Sequence, residues 1–414
     1  MWHNSIPSGE RPAEKKLPRQ AAHFYGKTPA SDWPLTVAGV SQRKKKKSLS
    51  HTHLFEKRNS FINAPFCAHA PVMPLSLLVP LALAGSGGSW QAISPGGATS
   101  CSHGGKYTFF VSPGTVNKLV IELEGGGCCF DAITCATPIY TRSVDAKAEL
   151  RTLENRGGLG SAVDERNPVK GWTRVFVPYC TGDAHLGNHT AKYGVHHVGR
   201  LNAFAALQWA FDHVADPEAV LVTGISAGAV GSYVLAPWAF GHYRRAAHFH
   251  LADSYAPVFG KTGYNGGLAN WKLADAFDFA DIPEIAPGSI TEWSPLVNAA
   301  NTNFSALAFP NATFSAYVSA ADTVEEGFYV AEGCGLEGCD WKGAMRDALD
   351  AVTAPNFYRF VAPGTTHGVI GGDGVYSKKS KAVGTGQEVT VGGWITDMLA
   401  GKQIPNVDCK GQGC

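Results

Sequence analysis

The segment Gly224-Ile-Ser-Ala-Gly228 could carry a nucleophile. It has the G-x-S-x-G pattern, it follows the apolar run Ala219-Val-Leu-Val-Thr223, and it precedes a helix predicted from Ala227. In this context a serine lies on a tight strand-to-helix turn, where small neighbours leave its hydroxyl exposed. The string alone is a weak signal in a chain with 48 glycines. Its position between strand and helix makes Ser226 the candidate nucleophile of an acyl transfer.

A serine hydroxyl needs a histidine as base and a carboxylate to orient that histidine. Asp322 follows a strand predicted at 314–319, and His367 lies in a glycine-flanked loop after a strand predicted at 357–362. The order serine, acid, histidine is that of α/β-hydrolases, and catalytic groups in open parallel sheets lie beyond the carboxyl ends of strands. We therefore predict a triad of Ser226, Asp322 and His367.

Other interpretations of these residues remain open. Asp322 could cap a following helix, because aspartate is a favoured N-cap. His367 could be an ordinary loop histidine, one of fifteen in the chain. Asp253 competes for the role of the acid but follows Ser226 by only 27 residues, which suits a structural or pocket-wall carboxylate better. Asp183 precedes the serine and would break the order.

Three glycines, Gly125–Gly127, follow a strand predicted at 118–123. A tight surface turn would explain them, but acyl transfer also requires backbone N–H groups that point at the developing oxyanion. In α/β-hydrolases one donor follows the nucleophile and another comes from a glycine-rich loop after an earlier strand. We predict an oxyanion hole formed by the amides of Gly126, Gly127 and Ala227.

The loop 178–188 follows the next predicted strand and is expected on the same rim. Its polar side chains Thr181, Asp183 and His185 are predicted to contact substrate, although Asp183 could instead stabilise the loop itself. A glycan on Asn188, which begins an N-x-[ST] sequon, would crowd such an entrance.

Short β-branched runs alternate with helical stretches from about residue 95 onward. The strands above, a strand at 173–178 and helices at 199–214 and 393–400 indicate a mostly parallel sheet with helices on both faces. The predicted fold class is α/β, of the α/β-hydrolase type, in one catalytic domain at 85–414.

The N-terminal part of the chain differs from the rest in charge. Residues 1–72 carry twelve Lys/Arg and four Asp/Glu, and the remainder carries 23 basic and 30 acidic residues. We predict a basic disordered leader at 1–72, which would not belong to the protein if Met73 is the true start, and a signal-peptide apolar region at 73–84. That region is too short to span a membrane. Nothing in the body indicates nucleic-acid binding.

Nine of the ten cysteines follow this segment. Their spacing favours local disulfides between Cys129 and Cys135, Cys334 and Cys339, and Cys409 and Cys414, with Cys101 and Cys180 able to join strand-flanking segments. Cys128 is left over. No pair of C-x-x-C motifs at finger-like spacing supports a zinc site. Disulfides and the sequons at Asn188, Asn303 and Asn311 fit secretion.

The chain resembles the pectin acetylesterase/Notum family. The strings that carry the resemblance are "LEGGGCCF", "PYCTGDAHLGN", "GISAGAVGSY", "LADSY", "SAADTVEEGFY" and "GTTHG", which occur in the family's order between residues 95 and 400. The resemblance implies a secreted α/β-hydrolase whose Ser-Asp-His triad falls on Ser226, Asp322 and His367. It also implies the oxyanion positions above and the Cys129–Cys135 disulfide.

Two departures border the expected acyl pocket. The family usually has a bulky aromatic residue at the Gly127 or Cys128 position, and "LADSY" replaces a more usual "DSG" pattern. Both bear on acyl-chain preference. The predicted protein is a monomeric, cofactor-free and metal-free serine esterase that removes short acyl groups, acetyl above all, from a polysaccharide such as pectin. The alternatives are a deacylase for longer acyl chains on a protein and an inactive extracellular binding module.

Overall fold

A computed structural model describes residues 88–276, 297–336, 338–410 and 414. The predicted leader at 1–72 and signal segment at 73–84 lie outside these residues, and the domain bounds stay a prediction. In the part of the chain that is described, no helix has both the length and the apolar character needed to cross a membrane.

The strands of the described residues are β1 (Gln91–Ile93), β2 (Phe109–Ser112), β3 (Val116–Leu123), β4 (Trp172–Val177), β5 (His189–Thr190), β6 (His196–His197), β7 (Ala219–Ile225), β8 (Ala247–Asp253), β9 (Thr313–Ser319), β10 (Phe357–Ala362), β11 (Lys379–Lys381) and β12 (Glu388–Thr390). The α-helices are α1 (Ala132–Ala136), α2 (Ala146–Glu154), α3 (Gly199–His213), α4 (Ala227–His242), α5 (Lys261–Asn270), α6 (Leu273–Ala276), α7 (Val297–Ala308), α8 (Thr323–Ala331), α9 (Trp341–Ala351), α10 (Gly374–Ser377) and α11 (Val391–Leu399).

The main sheet has eight strands in the order β1-β2-β4-β3-β7-β8-β9-β10. Strands β4, β3, β7, β8, β9 and β10 pair in parallel, whereas β2 pairs antiparallel with both β1 and β4. This architecture confirms the predicted α/β-hydrolase-like fold. The chain passes from β3 to β4 on one side and later returns to β7 on the other side of β3. A reversal of this kind opens a crevice at the carboxyl ends of the strands.

Both faces of the sheet are covered by helices. Leu119 and Ile121 of β3 pack in a cluster with residues of α3 and α4, whereas Val120 packs in a second cluster with Trp394 and Met398 of α11. Adjacent side chains of a strand point to opposite faces, and both faces of a parallel sheet are buried. The strands and helices that the sequence predicted begin and end within two residues of their predicted bounds. Strand β8, which the sequence analysis did not assign, completes the centre of the sheet.

Four disulfide bonds join the pairs that the spacing favoured. They link Cys101 with Cys180, Cys129 with Cys135, Cys334 with Cys339, and Cys409 with Cys414. The first bond ties the segment before β2 to the loop after β4, and the second closes the glycine-rich loop over α1. Cys128 is a buried free thiol.

Candidate active site

Ser226 lies on a strained turn between β7 and α4. Its φ of 57° and ψ of −122° are rare for a residue with a side chain. A Cβ at Gly224 would lie 2.3 Å from the Gly228 carbonyl oxygen, and a Cβ at Gly228 would lie 2.1 Å from the Leu123 carbonyl oxygen. Only glycine fits at both positions, as a nucleophile elbow requires. Ser226 is 9% exposed and lines a cavity.

Asp322 and His367 meet at the same edge of the sheet. His367 Nδ1 lies 3.0 Å from Oδ1 and 2.9 Å from Oδ2 of Asp322. Asp322 is fully buried and also caps α8, because its Oδ1 accepts hydrogen bonds from the amides of Val324 and Glu325. Capping and orientation of the histidine, treated as alternatives in the sequence, therefore coexist. An Nδ1–H bond to the carboxylate leaves the Nε2 lone pair free.

The loop that carries His367 packs against the nucleophile elbow. A Cβ at Gly368 would lie 3.2 Å from Cγ2 of Ile225, the residue before Ser226. Within the described residues, His367 Nε2 is buried and has no hydrogen-bond partner, so its bond to Ser226 Oγ is not formed. Catalytic hydrogen bonds are often long without substrate and shorten in the reacting complex. The arrangement can perform general-base catalysis once Nε2 meets the hydroxyl.

The glycine loop lies directly against the serine. A Cβ at Gly125 would lie 3.2 Å from the Ser226 Cβ, and a Cβ at Gly127 would lie 2.0 Å from the Ile139 carbonyl oxygen. Gly126 and Gly127 have positive φ values of 150° and 75°, which favour glycine. Gly127 and Ala227 line the cavity beside Ser226, whereas Gly126 accepts a bond from the Thr141 amide. Gly127 and Ala227 are thus next to the nucleophile, and the role of all three residues as oxyanion donors stays a prediction.

The three polar residues predicted to contact substrate are buried under the glycine loop. Asp183 accepts hydrogen bonds from the Thr181 hydroxyl at 2.6 Å and the Gly199 amide at 2.7 Å. His185 Nε2 lies 2.8 Å from the Glu124 carbonyl oxygen, and burial lowers the pKa of His185 to about 4. Among the residues of this loop, Ala184, between Asp183 and His185, lines the cavity at Ser226. Contact between these residues and substrate stays a prediction. Their observed hydrogen bonds are to the protein itself, where they support the glycine loop.

The cavity at Ser226 is small, and its lining includes two acidic residues, Glu325 and Glu332, that the sequence analysis did not identify. It encloses about 40 Å³. Its walls come from six separate segments of the chain, which explains why no local motif pointed to it. They are Gly127, Cys128, Ala184, Ser226, Ala227, Val230, Tyr255, Val258, Phe259, Glu325, Phe328, Tyr329, Glu332 and Trp341.

Two of the wall residues form an unusual buried pair. The Cys128 thiol lies 3.8 Å from Glu332 Oε1, and Glu332 Oε2 accepts a hydrogen bond of 2.9 Å from the Gly260 amide. Burial raises the pKa of Glu332 to about 8 and also raises the pKa of the Cys128 thiol. No basic side chain is among the described wall residues. Both groups are therefore neutral at neutral pH, and this buried pair carries no charge into the cavity.

Glu332→Gln is expected to weaken the pH dependence of stability. A carboxyl whose folded pKa is raised from 4.5 to about 8 stabilises the fold fully below pH 4.5. That contribution is lost as the pH rises through 8. Glutamine can still accept from Gly260 and does not ionise. Urea unfolding at pH 5 and pH 9 should show a smaller loss of unfolding free energy for the variant than for wild type. Equal losses, or the same effect from Glu326→Gln on the exposed face of α8, would contradict this assignment.

One cluster of potential metal-binding groups occurs among the described residues, formed by Cys129, Cys135 and His197. The two cysteines are joined in a disulfide. Their sulfur atoms are therefore not thiolates, the form that binds metal. His197 instead lies 2.9 Å from both the Tyr193 hydroxyl and the Thr181 carbonyl oxygen. The cluster fits a structural support of the loop.

Comparison with known proteins supports the resemblance over part of the chain. Residues 93–237 match the family model described as Pectinacetylesterase. A segment of 81 residues is 30% identical to pectin acetylesterase 11 of Arabidopsis thaliana. This segment makes up 20% of this chain and 21% of that protein. The matched part of the chain thus spans about a fifth of the length of this curated relative.

The predicted resemblance to the pectin acetylesterase family is confirmed for residues 93–237. The matched range includes the glycine loop and Ser226. It ends before Asp322 and His367, so the assignment of these two residues depends on the geometry described above.

Proposed function

We propose that the protein is a serine carboxylesterase that removes acetyl groups from a polysaccharide such as pectin. The observation that carries the proposal is the pair of Asp322 and His367, which meets at the sheet edge beside the strained turn of Ser226. The family matched by residues 93–237 consists of carboxylic ester hydrolases, which agrees with this chemistry.

The proposed reaction has two steps. His367 Nε2 takes the hydroxyl proton of Ser226 while Oγ attacks the ester carbonyl carbon, and the amides of Gly127 and Ala227 stabilise the oxyanion. Collapse breaks the bond to the sugar oxygen, which receives the proton from His367, and an acetyl-serine remains. Water activated by Nε2 then attacks the acetyl carbon, releasing acetate and restoring Ser226. Asp322 orients the imidazole in both steps.

The small cavity supports a short acyl group. Because one water molecule needs roughly 10–15 Å³ of such space, a cavity of about 40 Å³ holds a group of only a few non-hydrogen atoms. A long acyl chain would have to displace aromatic walls such as Phe328 and Trp341. This favours acetyl over the longer chain of the alternative deacylase.

We also propose that the protein is secreted, on the evidence of its disulfides and sequons. Disulfides persist in oxidising compartments, and four occur among the residues that the structure describes. Of the three sequons, Asn303 is engaged, because its side chain bonds Ala351, Thr353 and Ala354. Asn188 and Asn311 are exposed and remain available.

Hydrolysis of p-nitrophenyl acetate and p-nitrophenyl octanoate tests this proposal. We expect kcat/KM to favour acetate by about tenfold or more, because forcing extra methylenes into a packed site typically costs 1–3 kcal/mol. Phe328→Ala, which opens the cavity wall, should reduce this preference, and Ser226→Ala supplies the background rate. Preference of the wild type for octanoate would instead support the longer-chain deacylase. Folded protein without turnover would support a binding module.

The polysaccharide is tested by acetate release from acetylated pectin and acetylated xylan. Release from pectin that requires Ser226 is the expected result. Release from xylan alone would keep the esterase chemistry and replace the proposed substrate.

A further inference from the structure

We propose that Asp253 is a positioning residue that fixes the His367 loop to the nucleophile elbow. The proposal rests on the esterase function above and adds a fourth residue to the arrangement. Asp253 was considered in the sequence as a competitor for the catalytic acid, and its contacts give it a different task.

Asp253 touches the nucleophile turn through its backbone. It ends β8 and pairs in parallel register with Ile225, the last residue of β7. Its carbonyl oxygen accepts a hydrogen bond of 2.8 Å from the Ser226 amide. The conformation of the strained serine is therefore tied directly to the position of Asp253.

The side chain of Asp253 holds the other partner. Its Oδ2 accepts hydrogen bonds from the Val369 amide at 2.7 Å and the Ile370 amide at 2.8 Å. These amides follow His367 by two and three residues. Successive backbone N–H groups of this kind form a concave site for an anion, and here the anion is the protein's own carboxylate.

Ser254 adds a further hydrogen bond to the same loop, and Asp253 and Ser254 together are called the clamp below. Its Oγ donates to Asp253 Oδ1 at 3.0 Å and accepts from the Gly368 amide at 2.7 Å. Ser254 has a φ of 59°, so a second residue of this site is held in a rare conformation. Three consecutive amides after His367 are thus bound by two neighbouring side chains.

Burial excludes water from this clamp, so water cannot replace a hydrogen bond that is lost there. Asp253 and Ser254 are fully buried, and the Asp253 carboxylate forms no ion pair with a Lys or Arg among the described residues. A buried backbone amide that loses its acceptor is destabilising, because its desolvation is no longer compensated. Loss of the carboxylate would let the loop move to satisfy its amides elsewhere. Asp322 contacts the His367 ring directly, whereas Asp253 acts through the backbone that carries it.

The test compares Asp253→Ala with Asp253→Asn. Asparagine keeps an oxygen acceptor for the two amides, and alanine keeps none. Displacement of a catalytic group by about 1 Å can cost 10²-fold. We therefore expect Asp253→Ala to lower kcat for p-nitrophenyl acetate by about 10²-fold with little change in KM. Asp253→Asn should stay within about tenfold of wild type.

The proton between His367 Nδ1 and Asp322 supplies a second measurement that needs no turnover. Its downfield NMR resonance should be present in wild type and Asp253→Asn and absent or broadened in Asp253→Ala. The matched control is Ser315→Ala, a buried polar residue of β9 whose Oγ donates to the His250 carbonyl oxygen, and it should change neither measurement.

Several outcomes would overturn the proposal. These are wild-type kcat and an unchanged resonance in Asp253→Ala, or losses in Asp253→Asn equal to those in Asp253→Ala. If Asp253→Ala fails to fold, Ser254→Ala replaces it and should broaden the same resonance by releasing the Gly368 amide; no change there overturns the proposal. A wild type without esterase activity would refute the proposed function, while the resonance would still decide the role of Asp253.

Discussion

Ser226→Ala is expected to lower kcat/KM for p-nitrophenyl acetate by about 10⁴-fold or more in a protein that stays folded. The reason is that the acyl-enzyme route is lost, whereas the glycine loop and the cavity remain. The turn is held by backbone hydrogen bonds and by the close approach of Gly224 and Gly228, which the substitution leaves intact. Initial rates, with near-UV circular dichroism to check the fold, give the measurement.

A second serine gives the matched control for this prediction. Ser232 lies on α4, six residues after Ser226, and its buried hydroxyl donates to the Ala229 carbonyl oxygen. Ser232→Ala should retain hydrolysis near the wild-type rate. Activity of Ser226→Ala within about tenfold of wild type would exclude this serine as the nucleophile.

Asp322→Asn is expected to lower kcat by about 10³–10⁴-fold, as loss of the orienting acid does in serine hydrolases. The amide oxygen can replace Oδ1 and keep the cap on α8. The amide nitrogen then faces His367 Nδ1 and donates to it. This forces the proton of the imidazole onto Nε2, which can no longer accept the serine proton. Stability should change by less than about 1 kcal/mol because asparagine is also a good N-cap.

Asp340→Asn is the matched control for Asp322→Asn. Asp340 caps α9 through a 3.1 Å hydrogen bond from the Gly343 amide and lies on the surface. The same substitution at this cap should leave kcat unchanged. Steady-state kinetics and thermal unfolding of both variants separate catalysis from capping. A normal kcat in Asp322→Asn, or an equal loss in Asp340→Asn, would contradict the assigned role.

The sequence predicted the parts of the site that local chemistry determines. The elbow requires small residues around Ser226, and the order of serine, acid and histidine follows from the fold that the strand–helix alternation indicates. The meeting of Asp322 and His367 followed from placing each after a strand of one parallel sheet. These are inferences from local pattern and topology.

The remaining features depend on contacts between distant segments. Cys128 and Glu332 meet across 204 residues, and no pattern in either segment indicates that contact. The clamp of Asp253 depends on hydrogen bonds to Val369 and Ile370, which are 116 and 117 residues away. Local sequence therefore suggested that Asp253 is structural without indicating what it holds.

The loop 178–188 illustrates a different difficulty. Its polar and glycine residues are typical of an exposed rim, yet Thr181, Asp183 and His185 are buried. Positive φ values at Ala184 and His185 turn the chain inward, where Thr181 bonds Asp183 and His185 Nε2 meets the Glu124 carbonyl oxygen. Such a conformation of non-glycine residues could not be read from their types.

The central claim is that Ser226 is an activated nucleophile, and labelling with a fluorophosphonate tests it most directly. The reagent is attacked by an activated serine, fluoride leaves, and a stable phosphonyl-serine remains. Peptide mass spectrometry should find one adduct on Ser226, formed in proportion to the loss of p-nitrophenyl acetate hydrolysis. No adduct should form on Ser226→Ala. Two results would contradict the account. One is treated protein that keeps full hydrolysis and carries no adduct at Ser226, and the other is loss of activity through labelling of a different residue.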